Sequence, residues 1–100
     1  MSDAGGMTRP GAIVRDFQIV NQRGLHARAS AKFVQLAGRF QASIEVEKDG
    51  TRVGGTSIMG LMMLAASPGC MVRITATGLE AEEAVAALGE LIAARFGEEV

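Results

Sequence analysis

The stretch Ala42-Ser43-Ile44-Glu45-Val46-Glu47-Lys48-Asp49-Gly50-Thr51-Arg52-Val53 decides the architecture. Ala42, Ile44 and Val46 alternate with Ser43, Glu45 and Glu47, the period of a strand with one apolar face and one polar face. Asp49-Gly50 then supplies the left-handed pair that a two-residue hairpin needs, and Thr51-Arg52-Val53 is the return strand. An antiparallel hairpin with one wet face requires helices on its other face only. Outward from it, Cys70, Val72, Ile74 and Ala76 alternate with Met71, Arg73, Thr75 and Thr77 in another half-buried strand. Ile13, Phe17 and Ile19 against Asp16 and Gln18 mark a strand ahead of the hairpin.

Helical spacing fills the gaps. Leu25, Ala29, Phe33 and Leu36 form an apolar stripe that stops at Gly38. Ser57 to Leu64 reads as a short apolar helix, and Ser67-Pro68-Gly69 as a turn. Ala84, Val85, Leu88, Leu91, Ile92 and Phe96 make the stripe of a final helix, with Glu80, Glu82 and Glu83 at its start and Arg95 near its end. The order βαββαβα predicts an α/β (α+β) fold, an open-faced two-layer sandwich with a four-stranded antiparallel sheet and three helices on one face. Residues 1–11, with Gly5, Gly6, Pro10 and Gly11, read as a flexible extension, and 12–100 as a single domain.

Composition narrows the chemistry. In 100 residues the formal net charge is -1, there is no Trp or Tyr, and nothing suggests a nucleic-acid partner. One Cys excludes an internal disulfide and multi-cysteine zinc sites, and Cys70 reads as packing. Neither a secretory signal nor a membrane-spanning stretch is evident, so a cytoplasmic protein without membrane, metal or cofactor is expected. A single histidine means that acid–base or nucleophilic chemistry near neutral pH must pass through His26.

His26 follows a Gly24 turn at the start of the first helix, one residue past the apolar stripe, which should turn its ring to solvent. A helix N-terminus offers unpaired N–H groups and a positive dipole end to an anion. Residues 21–40 hold Arg23, Arg28, Lys32 and Arg39 and no acid, so the near-neutral total conceals a local basic excess. Two readings of His26 stand at this point: a helix-start residue with a surface ring, or an imidazole nucleophile for a phosphoryl group.

Gly24-Leu25-His26-Ala27-Arg28-Ala29-Ser30 closely resembles the phosphorylation-site motif of the HPr family, the histidine-containing phosphocarriers of the bacterial phosphoenolpyruvate-dependent phosphotransferase system. Thr56-Ser57-Ile58-Met59-Gly60-Leu61-Met62 is similar to the family's second motif, around a regulatory serine. The resemblance runs from about Ala12 to Phe96. It implies that His26 accepts a phosphoryl group through Nδ1 from phosphorylated enzyme I and passes it to an EIIA-type protein, with Arg28 steadying the group. Such a protein is a stoichiometric intermediate, not a stand-alone enzyme. Ala29 departs from the family, which usually has Pro there.

Ser57 stands where a residue would cap the short helix, and the resemblance adds phosphorylation by an ATP-dependent kinase/phosphorylase. Leu61 and Leu64 suit the core, whereas Ile58, Met59 and Met62 match the family's apolar docking patch. The expected partners are therefore enzyme I, an EIIA-type acceptor and that kinase, with the chain itself a monomer. Two alternatives stay open: a nitrogen-related regulatory carrier not coupled to sugar uptake, and a small module that holds an anion or protein without covalent chemistry.

Overall fold

The computed structural model describes residues 11–100, so the proposed extension, apart from Gly11, lies outside the described residues. The elements are β1 (Ile13–Gln18), α1 (Ala27–Ala37), β2 (Ser43–Lys48), β3 (Thr51–Gly54), α2 (Ile58–Met63), β4 (Met71–Thr77) and α3 (Ala81–Ala93), followed by a 3-10 turn at Arg95–Gly97. The sheet order is β1-β4-β2-β3 and every neighbouring pair is antiparallel. Four strands and three helices take the anticipated order.

The β2–β3 hairpin pairs Lys48 with Thr51. Between them Asp49 has φ 51° and Gly50 φ 84°, both left-handed, so the two-residue turn matches the twist of its strands. On one face of the sheet Ile44, Val46, Val72, Ile74 and Ala76 are buried with Phe33 of α1, Leu61 of α2 and Leu88 of α3. The opposite face is a ladder of charges. Arg73 Nε donates to Asp16 Oδ1 at 2.8 Å across β1–β4, and Arg52 Nη2 to Glu47 Oε1 at 3.4 Å across β2–β3. Cys70 sits just ahead of β4, half-buried against the core.

The final helix is shorter than its stripe. It ends at Ala93, and Phe96 is fully buried from a different backbone geometry. Arg95, Phe96 and Gly97 all have positive φ, at 58°, 55° and 81°, and the chain reverses. Arg95 accordingly does not complement the last turn of α3, because the helix has already ended. Its Nη1 donates instead to the Glu99 carbonyl at 2.9 Å. At the end of α1, Gly38 keeps a right-handed φ of -70° and its N–H donates to the Val34 carbonyl at 3.0 Å.

Candidate functional site at the start of α1

The loop between β1 and α1 is fixed from both sides. The Ile19 N–H donates to the Cys70 carbonyl and the Gly69 N–H to the Ile19 carbonyl, both at 2.8 Å. Beyond it, the Asn21 side chain is fully buried and its Nδ2 donates to the Gly24 carbonyl at 2.9 Å. Gly24 takes φ 64°, and the Leu25 N–H donates to the Ala66 carbonyl, just past α2, at 2.9 Å. The loop therefore arrives at α1 with its direction set by side-chain and backbone bonds together.

His26 is the N-cap residue of α1, with an extended backbone at φ -75° and ψ -177° and no side-chain cap bond. The Ser30 N–H makes the first helical bond, to the His26 carbonyl at 2.9 Å. The N–H groups of Ala27, Arg28 and Ala29 lie ahead of it, where a helix has no acceptor to offer. Arg28 is exposed and makes no ion pair among the described residues. Arg23 is exposed ahead of the helix and Lys32 on its middle turn, whereas Arg39 lies beyond its far end, roughly 20 Å from His26 along the axis at ~1.5 Å per residue. The basic rim of the site is thus Arg23, Arg28 and Lys32.

The ring does not face open solvent. Its side chain is 21% exposed, and Nε2 lies 2.5 Å from Oε2 of Glu98, itself 15% exposed. The other carboxylate oxygen, Oε1, accepts from Asn21 Nδ2 at 3.0 Å. Around this contact the Gln22 N–H donates to the Val100 carbonyl at 3.1 Å and Lys32 Nζ to the Phe96 carbonyl at 2.7 Å. The C-terminal segment therefore covers the face that helical geometry alone turns outward. The hydrogen bond from Asn21, then that from His26, with Arg23 nearby, holds the Glu98 carboxyl below its usual range. A segment free of acids in sequence has an acid against its histidine in space.

Ser57 is the N-cap of α2, and its Oγ accepts from the Gly60 N–H at 3.0 Å. Leu61 and Leu64 are buried, while Ile58, Met59 and Met62 are exposed, Met59 at 72%. Met63 is exposed as well, at 75%, and extends the apolar surface past the three residues singled out from sequence. Because Leu25 bonds to Ala66, the C-terminal end of α2 abuts the His26 loop and Ser57 lies at the far end. Asn21 and Glu98 are not apparent from sequence, since neither belongs to a periodic pattern or to either motif. Among the described residues no group of three His, Cys, Asp or Glu side chains is placed to hold a metal, and no helix is long and apolar enough to cross a membrane.

Comparison with known proteins agrees with this geometry. The family model for the PTS HPr component phosphorylation site matches residues 13–94. Phosphocarrier protein HPr of Cupriavidus necator is 51% identical over 84 residues, covering 84% of this chain and 94% of that one. The crystal structure of HPr-C-His from Thermoanaerobacter tengcongensis superposes with a TM-score of 0.84 at 46% identity, over 88% of this chain and 99% of that one. A crystal structure of the HPr dimer from the same organism has a TM-score of 0.70 at 41% identity, over 98% and 100% of the two chains. The fold, the helix-start histidine and a match spanning both motifs lead to one assignment: the chain belongs to the HPr family of phosphocarrier proteins of the phosphotransferase system.

Proposed function

We propose that His26 takes a phosphoryl group from phosphorylated enzyme I and gives it to an EIIA-type acceptor, residues 12–100 acting as one monomeric cytoplasmic carrier domain. The observation that carries this reading is the placement of a lone imidazole at the N-cap of α1, ahead of three unpaired N–H groups and beside exposed Arg28. The Nδ1 lone pair attacks phosphorus, an N–P bond forms, and the bond from phosphorus to the donor breaks. The helix terminus and Arg28 then face the added negative charge. Transfer onward reverses the same step, so no substrate is turned over by the chain alone. Ala29 keeps an N–H that the family's usual Pro lacks, which leaves the helix start one more donor.

Arg23, Arg28 and Lys32 steer acidic partners, and Ile58, Met59 and Met62 hold them briefly. Phosphorylation of Ser57 by an ATP-dependent kinase/phosphorylase adds charge at the edge of that surface and opposes docking. Incubation with enzyme I and phosphoenolpyruvate tests the carrier reading. The wild-type chain should gain an acid-labile phosphate that His26→Ala cannot acquire. A wild-type chain that stays unlabelled would overturn it.

A further inference from the structure

The C-terminal segment reaches His26 by an unusual backbone. Arg95 and Phe96 are consecutive non-glycine residues with positive φ, a conformation that L-residues rarely adopt. The buried Phe96 ring anchors the reversal, and Lys32 Nζ holds the Phe96 carbonyl at 2.7 Å. Gly97, at φ 81°, continues the turn, and a Cβ there would come within 3.2 Å of Lys32 Nζ. Glu98 is the next residue, and both of its carboxylate oxygens are taken: Oε2 by the imidazole and Oε1 by Asn21. Asn21, fully buried, spans from the Gly24 carbonyl to this carboxylate, so the loop that delivers His26 also aims its partner.

An ionised carboxylate can only accept hydrogen bonds. The nitrogen 2.5 Å from it must therefore carry the proton, which puts the lone pair of a neutral ring on Nδ1. We propose that Glu98 is a positioning residue for phosphoryl transfer, holding His26 through Nε2–H so that Nδ1 is the nucleophilic atom. The inference rests on the reading of His26 as phosphoryl acceptor. It also gives the charged intermediate a partner. When Nδ1 forms its bond to phosphorus, the ring keeps the proton on Nε2 and gains positive character, which faces the Glu98 carboxylate. No proton needs to leave the ring on either transfer step.

Glu98→Gln tests this, because a side-chain amide can donate to Nε2 as readily as accept from it. Nitrogen-15 NMR of the His26 ring at alkaline pH should show the Nε2–H tautomer predominant in the wild type. In the variant the two tautomers should become comparable. Initial phosphoryl uptake from enzyme I and phosphoenolpyruvate should slow by about tenfold to a hundredfold, the range found when the carboxylate orienting a metal-ligating histidine is lost. Glu99→Gln, which alters no group at the ring, should match the wild type in both measurements. Phosphoryl uptake that slows in E98Q without a change of tautomer would overturn the positioning role, as would an unchanged rate. Failure of the wild type itself to accept phosphate would instead strike the reading of His26, while the tautomer comparison would still be readable.

Discussion

The Leu25 N–H donates to the Ala66 carbonyl at 2.9 Å, joining the loop that carries His26 to the chain leaving α2. Gly24 makes the approach possible. A Cβ on it would lie 2.3 Å from that same Ala66 oxygen, and its φ of 64° is one that L-residues rarely adopt. Gly24→Ala should therefore cost on the order of 2–4 kcal/mol in urea unfolding, since backbone must move on one side or the other. Loss of protection at the Leu25 amide in hydrogen exchange would locate the damage. A variant as stable as the wild type would mean that the contact yields at no cost.

Ser57 separates a structural role from a regulatory one. Removing its Oγ leaves the Gly60 N–H without its acceptor, so Ser57→Ala should destabilise by about 1 kcal/mol. Ser57→Asp retains an acceptor at the N-cap and adds a charge that the helix start tolerates. Its thermal stability should stay close to that of the wild type while its affinity for enzyme I falls. Titration calorimetry reads the second effect. Equal affinity in both proteins would remove the basis for regulation at this position.

Met59, 72% exposed on α2, tests the proposed docking surface without disturbing the core. Met59→Glu should alter stability by less than about 0.5 kcal/mol, the usual range for an exposed site. If the patch meets enzyme I, the dissociation constant should rise by about tenfold, which is ~1.4 kcal/mol. Binding unchanged by this charge would place the interface elsewhere.

Gly89 sets two opposing effects against each other. Replacing a mid-helix glycine with alanine favours the helix by about 1 kcal/mol. Yet a Cβ on Gly89 would lie 2.5 Å from Cε1 and 2.8 Å from Cζ of Phe17, where α3 rests on β1. Overpacking of this kind costs about 1–3 kcal/mol, and two ring carbons must move together, so the steric cost wins. Gly89→Ala should be less stable than the wild type by chemical denaturation. A gain in stability would show that the Phe17 ring tilts aside freely.

Most of the architecture is readable because its signals are local. Alternation along Ala42–Glu47 and Cys70–Thr77 sorts the two faces of the sheet, and Asp49-Gly50 fixes one register outright. The motif stretch Gly24–Ser30 is likewise contiguous. The unreadable part is long-range. His26 and Glu98 are 72 residues apart, and no period or spacing links them. The rotation from Leu25 correctly puts His26 off the core stripe, but it cannot show that another segment covers that side. Nor does the Phe96 position, apolar and in phase with the helix, reveal that its backbone has already left the helix.

The same long-range contact gives the site a pH dependence of definite sign. Hydrogen bonds from Asn21 and His26 hold the folded Glu98 carboxyl below its ordinary value of 4.5, whereas the unfolded chain binds the proton at that ordinary value. The unfolded state therefore takes up protons first as pH falls, and stability declines with it. Glu98 contributes fully above the ordinary carboxylate range, and its contribution is lost as pH drops through the lowered folded value. Asp16, held low by its hydrogen bond to Arg73, follows the same direction, so the comparison must be made against a variant. The acid-side decline in unfolding free energy should be shallower in Glu98→Gln than in the wild type. The Gln22 amide resonance, reporting the bond to the Val100 carbonyl, should shift over the same acid range in the wild type alone. Identical acid limbs in the two proteins would show that the carboxylate is not bound to the loop in solution.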